Sequence, residues 1–504
     1  MSHDPLPYIA LQPSTSSVLA DVSNPNGDIA TENVWISFYN PSRAREGPST
    51  LHAKITVSEA DERGQVQVDV REGAFDLELI DSVQKFRSPS LDETCRAHAF
   101  APYQRSLKVA CPSLSIAPTK LSLPCERANS ASPSASSSTS EEVPAPAFYA
   151  PSNGRDAIEC FALSGDRKRI AIGSRDGQCR VIEIVKFDDH GSERLRKGKE
   201  VALRGHVGDI TSVDFFPSNE VVLTASSDMS LRVFSTTDGT CPRHLKGHTK
   251  RVTGTHILHG GPHKGREVVS SSLDGTLKLW DLSTGVNTRT WRLSHPISSL
   301  HVISSSNASE LSASSNVLDG RFAFCGHPNG TISLVSLSPN ESAPESSLVT
   351  PITTLKCSSS VHSSVETLSY DAEDRLLAAG SRNGSVTLFR LPECPLEQIS
   401  VVEIDAVRTW TRTQGSSIRS IQSRRSDDGQ LSLFVASSDG LPYQASIVFV
   451  DDDNDESTDK VKVEVVGEFV GLNCDPCTGI LATPEGTVWT SGGSGDGSIR
   501  VYDL

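Results

Sequence analysis

The chain has 504 residues, a formal net charge of −15, 36% hydrophobic and 6% aromatic residues, 36 glycines and 28 prolines. An acidic balance of that size works against a phosphate-binding surface, because nucleic-acid affinity rests on Lys and Arg neutralising phosphates, so no nucleic-acid partner is expected. No apolar run reaches the length needed to cross a bilayer, which leaves no membrane partner to expect, and abundant Gly, Ser and Pro suit many short strands joined by turns.

The segment Met1–Tyr8 lacks the apolar core of a signal peptide. The eleven cysteines are therefore expected to be reduced thiols in a protein of the cytoplasm or nucleus. Alternating apolar and polar residues at Val34–Tyr39, Leu51–Val57, Gln65–Val70 and Phe75–Ile80 predict a small, mostly β N-terminal domain over residues 1–127. Residues 128–147 carry prolines and seven serines between Ser130 and Ser140. Such a stretch buries too little apolar surface to offset the cost of ordering, and it predicts a flexible linker.

From residue 148 to 504 a tight-turn signal recurs, at Asp176-Gly177, Asp228-Met229, Asp274-Gly275, Asn329-Gly330, Asn383-Gly384, Asp439-Gly440 and Asp496-Gly497, with 46 to 57 residues between successive turns. Asp-Gly and Asn-Gly suit two-residue hairpin loops, whose central positions need positive φ. Strand-like runs flank each turn, as Val221–Thr224 and Ser230–Phe234 do the second. A supersecondary unit repeated at that period is a propeller blade. The predicted fold is all-β, a seven-bladed WD-repeat β-propeller behind the N-terminal domain. The last unit stops at its third strand, at Leu504, so an outer strand from upstream is expected to close the ring. Ser106–Val109 and Lys120–Leu123 are the candidates, which would make part of residues 1–127 integral to the propeller.

The third unit holds the most specific constellation: Gly247-His248 before the first strand, Ser270 on the second, Asp274 in the turn and Trp280-Asp281 closing the third. The imidazole can bond the carboxylate and the hydroxyl, and the hydroxyl can pass the network to the indole N–H. The second unit keeps His206, Thr224 and Asp228 but has Phe234 in place of the Trp. Recurrence of the same residue types at matching spacing marks a structural tetrad. A catalytic triad is needed once, with an exposed nucleophile and oxyanion donors, so no enzyme is expected.

Other motifs carry less. Cys474-Asp475-Pro476-Cys477 has no second cysteine pair for a zinc ribbon and no βαβ context for redox work. The run Asp451–Glu456 lacks the central Gly and distal Glu of a calcium loop. The basic run Arg194–Lys199 reads as a loop, and Gly492–Gly497 as a hairpin without a phosphate-binding continuation. No catalytic residue, metal site or cofactor is expected.

One stretch goes further. Leu203–Val213, Phe215–Ser218, Ser227–Met229, Asp238–Pro242, Leu245–Thr249 and Asp274–Asp281, with Asn473–Pro476, resemble the proteasomal ATPase-associated factor family. The likeness is close over residues 200–282 and looser beyond. It implies a non-enzymatic WD-repeat chaperone that binds the C-terminal domain of a proteasomal ATPase subunit during assembly of the proteasome regulatory particle. It also implies an electrostatic contact, with acidic propeller residues meeting basic ATPase residues, and a monomer. In such propellers the loop leading into each first strand lines one rim, here Asp156, Asp209, Lys250, Arg251, Ser364, Ser417 and Asp475. Asp156, Asp209 and Asp475 are the expected contacts for a basic partner. The alternative is a WD-repeat substrate receptor of a ubiquitin ligase, or another interaction scaffold, using the same rim.

Overall fold

The computed structural model describes residues 4–15, 31–44, 47–60, 66–72, 76–79, 85–87, 97–100, 106–124, 148–149, 157–189, 192–258, 265–303, 322–337, 351–357, 363–392, 404–426, 428–450, 460–472, 475–493 and 497–504, with a few isolated positions. The predicted linker, the acidic run 451–456, Asp156, Cys474 and Asp496 lie outside the described residues.

Seven antiparallel sheets follow one another along the chain from residue 158. The first pairs Ile158–Leu163, Arg169–Ser174, Cys179–Asp189 and Ser192–Leu203; the second Ile210–Phe215, Val221–Ser226, Ser230–Ser235 and Arg243–Lys246. The third pairs Val252–Ile257, Glu267–Ser272, Thr276–Asp281 and Val286–Arg292; the fourth Ser299–Val302, Phe322–Gly326, Thr331–Ser336 and Thr353–Lys356. The fifth is built on Val365–Asp371, Leu376–Ser381, Ser385–Arg390 and Ala406–Thr411, and the sixth on Ile418–Arg425, Leu431–Ser437, Tyr443–Val450 and Lys460–Phe469. The seventh has Cys477–Ala482, Thr487–Gly492 and Ile499–Asp503.

Each first strand packs on the first strand of the next sheet, and Cys477–Ala482 returns to Ile158–Leu163, so the sheets close into a ring around a central channel. Burial follows from that arrangement. Second strands lie between neighbouring sheets and bury almost every position, as in Leu376–Ser381 and Leu431–Ser437. That is why they read as unbroken runs of small and apolar residues. First strands line the channel and are half-buried, as Ile210–Phe215 is. The turn glycines Gly177 and Gly275 sit at φ 80° and 79°, and Met229 takes the equivalent left-handed position at φ 67°.

One sequence expectation changes here. The basic run Arg194–Lys199 is not a loop: it lies within the outer strand Ser192–Leu203, paired with Cys179–Asp189. The outer strand of the fifth sheet is Ala406–Thr411, whose Trp410 is buried and donates to Tyr443 Oη at 3.0 Å.

The N-terminal region is β, as expected. Tyr8–Leu11, Thr31–Tyr39, Thr50–Ala60, Val66–Glu72 and Ala97–Phe100 form one sheet. Its buried face, with Ile9, Val34, Ile36, Phe38 and Ile55, shares a core with Leu107, Val109, Ile116 and Leu121 of a hairpin. That hairpin, Ser106–Cys111 and Ile116–Ser122, does not close the seventh sheet. It extends the sixth, where Lys120–Ser122 run parallel to Gly467–Phe469. The open edge of the seventh sheet is met by Phe148 and Tyr149: both amides donate to the Ile499 carbonyl, at 2.7 and 3.3 Å, and Ile499 N–H returns to Tyr149 at 2.9 Å. Phe148 also packs edge-on against Trp489, with ring centroids 5.3 Å apart.

Candidate functional site

The polar constellation of the third sheet is assembled in full. His248 Nδ1 lies 3.0 Å from Asp274 Oδ2 and Nε2 lies 2.8 Å from Ser270 Oγ, while Trp280 Nε1 donates to the same oxygen at 2.8 Å. A carboxylate only accepts, so Nδ1 carries the proton, Nε2 accepts from the Ser270 hydroxyl, and that hydroxyl accepts from the indole. In the second sheet His206 reaches Asp228 at 2.8 Å and Thr224 at 2.9 Å, and Phe234 leaves the fourth place without a donor. Burial lowers the His206 pKa, and Asp228 only partly offsets it. Burial pushes both carboxyls up, but hydrogen bonds from Ser230 and His206 to Asp228, and from His248 and Thr276 to Asp274, outweigh it and hold both below the usual carboxylate range. Ser270 is fully buried between His248 and Trp280, where no substrate reaches its oxygen. These groups tie strands together.

The surface available for recognition is at the channel mouth. A cavity of about 1130 Å³ opens among the loops that lead into the first strands and the turns between second and third strands. Of the expected rim residues, Asp209, Arg251, Ser364 and Ser417 line it. Lys250 is exposed on the same loop as Arg251, and Asp475 is half-buried next to the lining residue Pro476.

The mouth is not the acidic surface that a basic partner would suggest. Arg175, Arg251, Arg382 and Arg419 stand there against Glu159, Asp209 and Glu366. Glu159 is neutralised twice, by Arg175 Nε at 2.8 Å and Arg419 at 3.0 Å. Asp209, Glu366, Arg251 and Arg382 have no ion-pair or side-chain hydrogen-bond partner among the described residues, so charges of both signs are available to a ligand. The buried hydroxyls of Thr211 and Ser417 are likewise unpaired on its wall. A polar lining with converging unsatisfied groups is the mark of a binding surface.

The loops before the first strands point to Arg251 but not to Arg175, Arg382 or Arg419. Arg175, Leu273, Pro328, Arg382 and Ser438 each sit one residue before the turn Asp or Asn, and all five line the mouth. The repeated turn therefore marks a lining position as well as a hairpin. His327 was missed too: it is buried, with Nε2 2.9 Å from Ser333 Oγ and Nδ1 2.8 Å from the Pro296 carbonyl. It gives the fourth sheet a local polar network of its own.

Comparison with known proteins agrees with this architecture. Residues 215–313 match a family model described as the first β-propeller of WD repeat-containing protein 75, and residues 350–390 match the WD domain, G-beta repeat. The yeast (Saccharomyces cerevisiae) 26S proteasome regulatory subunit RPN14 is 29% identical over 253 residues, 47% of this chain and 54% of that protein. Small ribosomal subunit protein RACK1 of Dictyostelium discoideum is 38% identical over 95 residues, 18% of this chain and 28% of its own. Periodic tryptophan protein 2 of Arabidopsis thaliana is 25% identical over 232 residues, 44% and 24% of the two chains. The chain thus spans about half of the yeast relative and less of the other two. Ring, networks and matches together identify the fold as a WD-repeat β-propeller, a fold typically used as a protein-interaction scaffold.

Proposed function

We propose that the chain is a non-enzymatic scaffold that binds the C-terminal domain of a proteasomal ATPase subunit during assembly of the proteasome regulatory particle. The observation that carries this reading is the similarity to the yeast 26S proteasome regulatory subunit RPN14, which runs over nearly half of the chain. The site supports it: the mouth offers unpaired charges on a ring of loops, and the buried Ser–His–Asp arrangements serve the fold. Asp209 and Asp475 are the proposed contacts for basic residues of the partner, with Glu366 beside them at the channel wall.

The test is direct binding of the full-length protein to purified C-terminal domains of the proteasomal ATPases, measured across a salt series. One domain binding well above the others supports the reading. Asp209→Lys with Asp475→Lys should slow association and flatten its salt dependence, since rim charges act mainly on the encounter rate. Failure of every domain to bind, together with co-purification of a ubiquitin-ligase adaptor, would replace it with the substrate-receptor reading.

A further inference from the structure

The rim above the second and third sheets carries an apolar pair that the fold does not need. Met229 occupies the left-handed turn position that glycine fills in the other units, at φ 67°, and 44% of it is exposed. An L side chain at that φ is strained and persists where its surroundings or its function demand it. Val207, 89% exposed, lies on the adjoining loop, held to the same turn by its N–H donating to Asp228 Oδ2 at 3.2 Å. Neither side chain contributes to the hydrophobic core. On the far side of Met229 the strand pair Ser230 and Lys246 leads into the loop carrying Lys250 and Arg251.

The charge around this pair is opposite to that of the chain. Arg204, Lys246, Lys250 and Arg251 are exposed, and none has an ion-pair partner among the described residues. The nearby carboxylates Asp228 and Asp274 are occupied by histidines, hydroxyls and backbone N–H groups, which leaves Asp209, two residues beyond Val207, as the unpaired carboxylate beside these four cations among the described residues. Four free cations gathered on a protein of net charge −15 select an acidic ligand, and the exposed Val–Met pair selects an apolar side chain between its charges.

We propose that this rim docks an acidic peptide segment through one aliphatic or aromatic anchor seated on Val207 and Met229. The surface adjoins the proposed ATPase contact at Asp209, which lies on the same loop as Val207, and its test does not use the ATPase.

The probes are three fluorescein-labelled dodecapeptides: one Leu flanked by Glu residues, one Phe flanked by Glu residues, and one Leu flanked by Lys residues. Their anisotropy is read with the full-length protein at two salt concentrations, beside a labelled single-stranded RNA of matched charge. The acidic probes should bind and weaken with salt, and the Lys probe and RNA should not. Met229→Gly should weaken binding about tenfold while the protein melts no lower than the parent, which separates lost contact from lost structure. Lys246→Glu with Lys250→Glu should abolish binding. Three results overturn the proposal: no binding of either acidic probe, equal or tighter binding of the Lys probe or the RNA, or unchanged acidic-probe binding by Met229→Gly combined with Val207→Ser.

Discussion

Glu468→Ala is expected to be among the most damaging single substitutions in this protein, although Glu468 touches no part of the channel. Its carboxylate receives two hydrogen bonds from the Arg412 guanidinium, at 2.6 and 2.8 Å, and a third from the Ile9 N–H at 3.1 Å. The Arg412 and Glu468 side chains are 3% and 2% exposed. Burial works against the charge on Arg412, but Glu468 outweighs it and raises the guanidinium pKa, so the cation cannot discharge. Burial also pulls the Glu468 pKa upward, opposed by Arg412 and the Ile9 N–H. Arg412 lies over the Tyr443 ring, 4.3 Å from its centroid, and over Tyr8 at 5.4 Å. One ion pair therefore joins the end of the fifth sheet, the outer strand of the sixth, and the N-terminal domain.

Removing one partner of such a pair leaves a buried charge uncompensated, which costs about 3–5 kcal/mol. The Ile9 amide loses its acceptor as well, adding about 1 kcal/mol. The sum approaches the whole stability of an ordinary domain, about 5–15 kcal/mol. Urea unfolding of the full chain should show a large fall in midpoint, with hydrogen exchange at Ile9 speeding up first. Arg412→Met with Glu468→Leu should cost much less than Glu468→Ala alone, because no charge is left stranded. A loss below about 1 kcal/mol for Glu468→Ala, or a double variant worse than the single, would refute the assignment of a buried, coupled pair.

Trp280→Phe should reproduce in the third sheet the Phe234 arrangement of the second, losing the 2.8 Å bond to Ser270 for about 1 kcal/mol in thermal unfolding. Gly380→Ala should be worse, about 1–3 kcal/mol by the same measurement, because its Cβ would fall 2.5 Å from Ile418 Cγ2 and 2.7 Å from Thr367 Cγ2. Stability should also fall with acid before the carboxylates titrate. Burial lowers the pKa values of His206 and His327, and brings His301 to about 4. Below about pH 6.5 the unfolded chain binds protons there that the folded chain refuses, so stability is lost downward from 6.5 at about 1.4 kcal/mol per pH unit for each histidine. Asp228 and Asp274, whose pKa values are held low, add a further loss below about pH 4. Urea midpoints between pH 4 and 8 measure this, and a flat profile from 6.5 to 4.5 would show that these histidines are not buried neutral.

The parts of the fold that were legible are those whose signal is local. A hairpin turn has two residues and a required φ, so Asp274-Gly275 announces itself wherever it stands. The network of His248, Ser270, Asp274 and Trp280 repeats in diminished form in the preceding unit, which separates it from a triad without any coordinates. Closure was not legible in the same way. Ser106–Cys111 and Ile116–Ser122 do join the ring, but alternation fixes only which side chains are buried and says nothing of which sheet edge receives them. Phe148 and Tyr149 stand among prolines and alanines, with no alternating run in the sequence to announce them. Arg412 and Glu468 lie 56 residues apart and belong to no motif, so nothing in the chain connects them before it folds.

The same distinction governs the surface. Net charge is a sum over the chain and carries no position; the ring sorts charges by position and places Arg175, Arg251, Arg382 and Arg419 at one mouth. Arg175 and Arg382 are there because they precede the turn, a position whose side chain the hairpin aims at the channel. The turn residue itself is confined by backbone geometry, which makes Met229 informative where six glycines are not. A repeat protein keeps its fold through the invariant part of each unit, so what distinguishes one ring from another lies in the positions beside it. For this chain those are the residue before the turn, the exception within it, and the free cations on the loop that follows.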